Sequence, residues 1–148
     1  MRFGLFVLLA MLAPAGLAAA PAVEASEQHF AGQANGQITF TMPSGNIGCI
    51  YTPRGGTDTY EPVDGGPELS CDRVAPSYVN VVLGPNGPAV LTENPGEQSC
   101  CGGDNVFAYG NTAHLEGFVC TSSTAGLTCE TPDKRHGFCV AKSRMLHY

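Results

Sequence analysis

The 148-residue sequence lacks tryptophan and is poor in cations, with seven lysines and arginines against thirteen aspartates and glutamates. The resulting formal net charge of −6 repels the phosphates of nucleic acids and anionic membrane surfaces, so we expect no nucleic-acid partner. Four of the cations fall close together, at Lys134, Arg135, Lys142 and Arg144. We interpret this cluster as a solvated face and not as a binding patch.

Only one long apolar run is present, and it lies at the N-terminus. A single arginine precedes the almost unbroken apolar residues 3–12, and small residues follow over 13–20. This layout is typical of a secretory signal peptide, whereas a membrane anchor needs ~20 apolar residues. We therefore predict a signal peptide over residues 1–20, cut between residues 18 and 22. The chain is then exported to the periplasm or the extracellular space, with no membrane insertion after cleavage.

The rest of the chain lacks the helical periodicity, sustained over about ten residues, that predicts a helix. Apolar and polar residues alternate instead, as at Ile38, Phe40 and Met42, and glycine- and proline-rich turns separate the runs. This spacing predicts a single all-β domain over residues 37–148, either a small antiparallel sandwich or a barrel, after a loosely ordered lead-in over 23–36. The predicted strands are 37–42, 47–51, 68–74, 78–83, 88–92, 106–109, 113–121, 126–130 and 137–142, with a long loop over 53–67.

Seven cysteines lie beyond the predicted signal peptide, a density that indicates disulfides formed in an oxidising compartment. Cys120 and Cys129 bracket a hairpin turn, and facing positions of a hairpin fall near the Cα distance that a disulfide accepts. We predict this pair and the pair Cys49–Cys71, worth about 2.6 and about 3.4 kcal/mol of loop-closure entropy.

The three remaining cysteines are Cys100, Cys101 and Cys139. A vicinal bridge is disfavoured, because consecutive Cα atoms are only ~3.8 Å apart. Cys139 is therefore expected to pair with Cys100 or Cys101. The odd thiol is left free or forms an intermolecular disulfide.

Three side chains are the strongest candidates for a ligand site, and for each of them a purely structural role is the alternative interpretation. His114 and Glu116 share a face of a predicted strand, where a histidine–carboxylate pair can do acid–base work or hold a metal. We interpret the pair as an exposed polar stripe, because the sequence fixes no third ligand or nucleophile nearby. His136 precedes Gly137 and Phe138, and we expect its ring to bind a loop carbonyl and hold the last strand in place. No catalytic motif stands out, and we expect no metal and no cofactor.

Two function classes remain open. The first, which we favour, is a non-enzymatic exported module that binds an unknown protein or small molecule by loops on a stiff β scaffold. The second is a small envelope enzyme or redox partner that uses His114, Glu116 and His136, or an unpaired Cys100 or Cys101. A cluster of the two histidines and the glutamate around one pocket favours the enzyme, whereas scattered positions favour the binding module.

Short motifs recur in order along the chain: PSGNIGC over 43–49, CD at 71–72, CGGD at 101–104, AYG at 108–110, GLTC at 126–129 and HGF at 136–138. Together they resemble a family of small exported bacterial domains whose function is not assigned. That family's pattern runs P-S-G-N-I-x-C, C-D, C-x-G-D, Y-G-x-T, G-x-T-C and G-H-G-F. Arg135 replaces the glycine before the histidine, Cys139 is an addition, and the doubled cysteine at 100–101 is unusual. The resemblance implies an exported bacterial domain and supplies no substrate.

Overall fold

The computed structural model describes residues 25–96 and 102–148, so the predicted signal peptide, Cys100 and Cys101 lie outside the described residues. No helix in the described ranges has the length and apolar character that crossing a membrane demands. These ranges contain twelve strands: β1 (Ser26–Glu27), β2 (Ile38–Thr41), β3 (Ile47–Thr52), β4 (Glu68–Arg73), β5 (Val79–Leu83), β6 (Val90–Glu93), β7 (Asn105–Val106), β8 (Asn111–Leu115), β9 (Phe118–Ser123), β10 (Gly126–Glu130), β11 (Gly137–Val140) and β12 (Met145–His147).

The strands form two six-stranded sheets that pack face to face as a sandwich. The first sheet has the order β6-β5-β4-β3-β2-β7, and the second has the order β1-β8-β9-β10-β11-β12. Neighbouring strands are antiparallel except in the edge pairs β2–β7 and β1–β8, which are parallel. The all-β prediction is confirmed, and of the two architectures left open the sandwich is the one that forms.

The core lies between the sheets and is built from the inward side chains of alternating positions. Four phenylalanines are at most 1% exposed: Phe40, Phe107, Phe118 and Phe138. Burial of each contributes about 1.5–3 kcal/mol, so these rings supply the bulk that the absent tryptophans do not. Phe30 stacks on Phe40 with ring centroids 4.7 Å apart. The ring of Phe30, from the predicted lead-in, is therefore packed against the sandwich.

Residues 113–121 were expected to form one strand, but they form a hairpin. Leu115 and Phe118 pair across a two-residue turn made of Glu116 and Gly117. The φ angle of Gly117 is +84°, a backbone conformation that glycine adopts without a steric cost. The apolar–polar alternation runs on through the turn, and this is why the sequence pattern did not indicate the break.

Both predicted hairpin disulfides are confirmed. Cys49 pairs with Cys71 across β3 and β4, and Cys120 pairs with Cys129 across β9 and β10. In each pair the two residues lie directly opposite each other with Cα atoms 4.1 Å apart. All four point into the core, where they are at most 3% exposed. Each sheet thus contains one disulfide that joins two of its neighbouring strands.

The predicted bridge from Cys139 to Cys100 or Cys101 is corrected by the structure, in which Cys139 carries a free thiol. Cys139 lies on β11 between the inward-facing Phe138 and Val140, so its side chain points to the outer face of the second sheet. The two other cysteines belong to the connection between β6 and β7, which are the edge strands of the first sheet. Elimination among unpaired cysteines could not take the outward orientation of Cys139 into account.

Connections from both sheets meet at each end of the sandwich. We call one end the cleft end, where the connections β2–β3, β4–β5, β7–β8, β9–β10 and β11–β12 lie. The opposite, far end carries the connections β3–β4, β5–β6, β8–β9 and β10–β11. Strand β11 divides the basic cluster, with Lys134 and Arg135 at the far end and Lys142 and Arg144 at the cleft end. All four are exposed, as expected for a solvated face.

Candidate functional site

The three side chains that the sequence singled out do not form a common site. His114 is exposed on β8, and His136 lies at the far end just before β11. Strands β9 and β10 separate β8 from β11, and three strand spacings put about 14 Å between their backbones. Glu116 sits in the β8–β9 turn and no longer shares a strand face with His114. This scatter favours the binding module over the enzyme.

Glu116 has a partner that the sequence did not predict. Its Oε1 lies 3.4 Å from Nε of Arg54, which belongs to the long β3–β4 loop. Both side chains are more than 60% exposed, and an ion pair in that setting is worth about 0–1 kcal/mol. The contact ties a loop to a turn at the far end.

His136 holds its loop through the backbone and not through its ring. The Thr131 amide donates to the His136 carbonyl at 2.9 Å, and the His136 amide donates to Oγ1 of Thr131 at 3.2 Å. In the described part of the chain the imidazole makes no hydrogen bond. The prediction of a structural position is therefore supported at the backbone, whereas the predicted role of the ring is not.

A concave site of about 430 Å³ lies at the cleft end. This volume falls within the roughly 300–1,000 Å³ that is usual for small-molecule pockets. No aspartate or glutamate is among the described residues that line it, although the chain as a whole is acidic. Its lining combines the apolar residues Met42, Ile47, Ala75, Ala125, Gly126 and Ala141 with the polar residues Ser44, Asn46, Tyr109, Ser123, Thr124 and Lys142.

Three of the polar side chains in the cleft are not engaged with the protein. Tyr109, Thr124 and Lys142 make no side-chain hydrogen bond or ion pair within the described ranges. By contrast, Oγ of Ser123 donates to the Gly126 carbonyl at 3.2 Å and so closes its own turn. The cleft therefore presents a phenol, a hydroxyl and an ammonium group, all able to donate hydrogen bonds, around an apolar floor.

Asn46 fixes one wall of the cleft. Its side-chain amide donates to the Ala75 carbonyl at 2.9 Å, and its Oδ1 accepts from the Ala75 amide at 2.8 Å. The asparagine thus pairs with the β4–β5 loop as a neighbouring strand would, and it locks this loop to the β2–β3 turn. Gly45 has a φ of +69°, which lets the turn close tightly. The PSGN motif is explained by this clamp.

A buried serine fixes the wall that carries Tyr109. Oγ of Ser122, which is 0% exposed, donates to the Phe107 carbonyl at 3.1 Å. The Gly110 amide in turn donates to the Ser122 carbonyl at 2.8 Å. These bonds hold both ends of the β7–β8 connection against β9. Tyr109 is 40% exposed at the tip of that connection, so its backbone is held in place while its side chain remains accessible.

Arg73 lies behind the cleft and was not indicated by any sequence pattern. It is only 5% exposed, and its Nη1 donates to the carbonyl of Ala141, a cleft residue, at 3.0 Å. Its other guanidinium nitrogens bind the carbonyl and hydroxyl of Ser77. No carboxylate pairs with Arg73 within the described ranges. A buried cation of this kind adds positive potential beneath Ala141 and next to Lys142.

The sequence around the cleft residues contains glycines, which predict turns but do not predict a binding site. Tyr109 and Ser44 each precede a glycine with positive φ, and the β9–β10 turn ends at Gly126 with a φ of +134°. Only the packing of the two sheets against each other brings these turns together. That packing depends on contacts between distant parts of the chain, which local patterns do not contain.

The described residues contain no group of three or more histidine, cysteine, aspartate or glutamate side chains that could hold a metal ion. No family model, curated protein or solved structure matches the chain. The site must therefore be interpreted from its own geometry.

Proposed function

We propose that this protein is an exported, non-enzymatic binding module of the bacterial envelope, and that its cleft holds a small ligand carrying an anionic group. The single observation that carries the proposal is the set of unengaged donors, Tyr109, Thr124 and Lys142, around a cleft lined by no described carboxylate. An ammonium group and two hydroxyls match the acceptor oxygens of a carboxylate or phosphate. The apolar floor is suited to the ligand's hydrocarbon part.

The scaffold supports a role in binding. The walls of the cleft are turns clamped by Asn46 and Ser122, and each sheet behind them is stapled by a disulfide. Loops held in this way lose little conformational entropy when a ligand binds, which favours affinity. Ligand sites are often built from loops on a rigid β-sandwich.

Export is supported by the N-terminal pattern and by the disulfides. An apolar run that is too short for an anchor precedes small residues, and disulfides are stable outside the cytoplasm. The motif series supports membership of the family of exported bacterial domains described above. The scattered positions of His114, Glu116 and His136 give no support to the enzyme alternative.

The test is an NMR titration of the ¹⁵N-labelled chain without its predicted signal peptide. The probes are benzoate and phenyl phosphate, and the neutral control is benzamide. We expect the anions, but not benzamide, to shift the amides of the turns around Ser44, Tyr109 and Thr124. Shifts that are equal for benzamide, or that lie away from the cleft, would refute the proposal.

A pair of variants tests the role of Lys142. Loss of one exposed charge should weaken anion binding by about two- to fivefold in Lys142→Gln. Lys134→Gln removes the same charge at the far end and should leave the affinity unchanged. Equal losses in the two variants would indicate that net charge, and not the cleft, governs binding.

A further inference from the structure

A second concave site lies at the far end, on the outer face of the first sheet. Its volume is about 230 Å³. Thr52 and Glu68 face each other across β3 and β4, and Ile50 and Ser70 form the next facing pair. The side chain of Gln37, just before β2, and that of Tyr60, from the β3–β4 loop, close the remaining sides. The site is too small for a drug-sized ligand, but its volume suits a side chain or a small organic ion.

Glu68 is the unusual member of this site. It is only 9% exposed, yet no lysine or arginine pairs with it in the described part of the chain. Glutamate is rarely buried to this degree unless it is paired. Its Oε1 accepts a hydrogen bond from the Tyr60 hydroxyl at 2.7 Å, whereas no described group binds Oε2. One carboxylate oxygen of this lining residue therefore has no partner among the described residues.

The loop that carries Tyr60 fixes the backbone of this residue beside the carboxylate. The Thr57 amide donates to the Tyr60 carbonyl at 2.7 Å, and the Tyr60 amide donates to Oγ1 of Thr57 at 3.2 Å. The hydrogen bond to Glu68, together with burial and the charges of Glu68 and Asp64, raises the pKa of Tyr60 to about 12. The carboxylates of Glu68 and Asp64 thus both act on this phenol. Loops of fifteen residues with internal order frequently carry function.

The chemistry of the site favours an organic cation over a metal ion. Calcium takes six to eight oxygen ligands, whereas the pocket offers one carboxylate beside an aromatic ring and the apolar Ile50. Alkylammonium and guanidinium groups bind both a carboxylate and the face of a tyrosine. We propose that the pocket formed by Tyr60, Glu68, Thr52 and Ser70 is a second binding site, independent of the cleft, for an alkylammonium or guanidinium group.

The test is an NMR titration of the chain without its predicted signal peptide, with n-butylguanidinium as the probe. n-Butylurea, which has the same shape but no charge, is the control. We expect n-butylguanidinium to bind with a Kd on the order of 1 mM and to shift the amides of Tyr60, Glu68 and Ser70. The benzoate titration of the cleft should be unaffected. Equal binding of n-butylurea, or shifts confined to other surfaces, would overturn the proposal.

Matched variants separate the pocket from the acidic surface around it. Glu68→Gln keeps an oxygen that accepts from Tyr60 and removes the charge, so it should weaken binding about ten- to one-hundredfold. Glu61→Gln removes one exposed charge from the same loop outside the pocket and should leave the Kd within twofold. Tyr60→Phe keeps the ring and should retain binding, whereas Tyr60→Leu should lose it. A Glu61→Gln loss equal to that of Glu68→Gln would refute the proposal.

Two probes distinguish the sources of the cation. Putrescine represents a free small cation, and the peptide acetyl-Ala-Arg-Ala-amide represents the side chain of a protein partner. Tighter binding of the peptide assigns the pocket to a protein's arginine, and tighter binding of putrescine assigns it to a free amine. Failure of both to compete with n-butylguanidinium would contradict the assignment.

Discussion

Removal of each disulfide in turn gives a sharp test of how the sandwich is stabilised. Cys49–Cys71 spans a sequence separation of 22 residues, and Cys120–Cys129 spans 9. By the chain-entropy relation these closures are worth about 3.4 and about 2.6 kcal/mol. The predicted difference in the free energy of unfolding is therefore about 0.8 kcal/mol in favour of the longer loop.

The two bridges are matched in the properties that would otherwise obscure this difference. Each joins directly opposite residues at a Cα distance of 4.1 Å, and all four cysteines are at most 3% exposed. Replacement of a pair by alanines thus removes the same buried sulfur atoms, and the cavity costs largely cancel. We expect Cys49→Ala/Cys71→Ala to unfold at a temperature about 3 °C below that of Cys120→Ala/Cys129→Ala.

The assay is equilibrium unfolding in guanidinium chloride and by heat, with both double variants and the parent in parallel. A pH of about 5 suppresses disulfide exchange in the unfolded chain, because the exchange requires a thiolate. The slope of free energy against denaturant must be compared as well, since it reports changes in the unfolded state. Equal losses, or a larger loss for the shorter loop, would show that loop closure does not set the contribution of these bridges.

Three further predictions concern single side chains. Asn46→Ala should lower the free energy of unfolding by about 2 kcal/mol, because two hydrogen bonds are lost. Asn46→Asp should not restore this free energy, because a carboxylate cannot donate to the Ala75 carbonyl. Denaturant titration of the two variants measures both effects. His136→Ala and His114→Ala should both change the melting temperature by less than about 2 °C, and a large drop in either would reveal a ring contact. The hydrogen bond to Glu130, together with burial, raises the pKa of Tyr148 to about 12 from 10.0. The stabilisation of the fold by this hydrogen bond should therefore be complete below pH 10 and should be lost as the pH rises towards 12. A tyrosinate absorbance titration of Tyr148→Phe should lack one late-ionising phenol, and an unchanged curve would contradict the assignment.

Local patterns in the sequence were sufficient for the class of fold and for two of the disulfides. Alternation at Ile38, Phe40 and Met42 predicted an inward face, and the last two are indeed buried. The Cys120–Cys129 pair followed from hairpin geometry alone, which is a short-range property. Period-two patterns work here because each strand has one face in the core and one outside.

Features that depend on distant parts of the chain were not predictable in this way. Cys139 was assigned to a bridge because the sequence does not reveal that its side chain faces away from the core. The sequence around the buried Glu68 resembles that of the other short strands of the chain. The pocket forms only because the loop that carries Tyr60 folds back beside Glu68. The sequence around Arg73 does not predict its burial either. Its partner Ser77 lies in the β4–β5 connection of the first sheet, and its partner Ala141 lies in the β11–β12 connection of the second sheet.

The Cys49–Cys71 bridge encloses the fifteen-residue loop between β3 and β4. At its tip Val63 is fully exposed, the kind of site that proteases of an envelope or a culture medium cut first. A cut there would separate the chain into two pieces that the bridge still joins covalently. The β3–β4 ladder on either side of the bridge would keep the sheet paired. A nicked molecule would therefore run as one species until it is reduced, and the cleft at the opposite end would survive the cut.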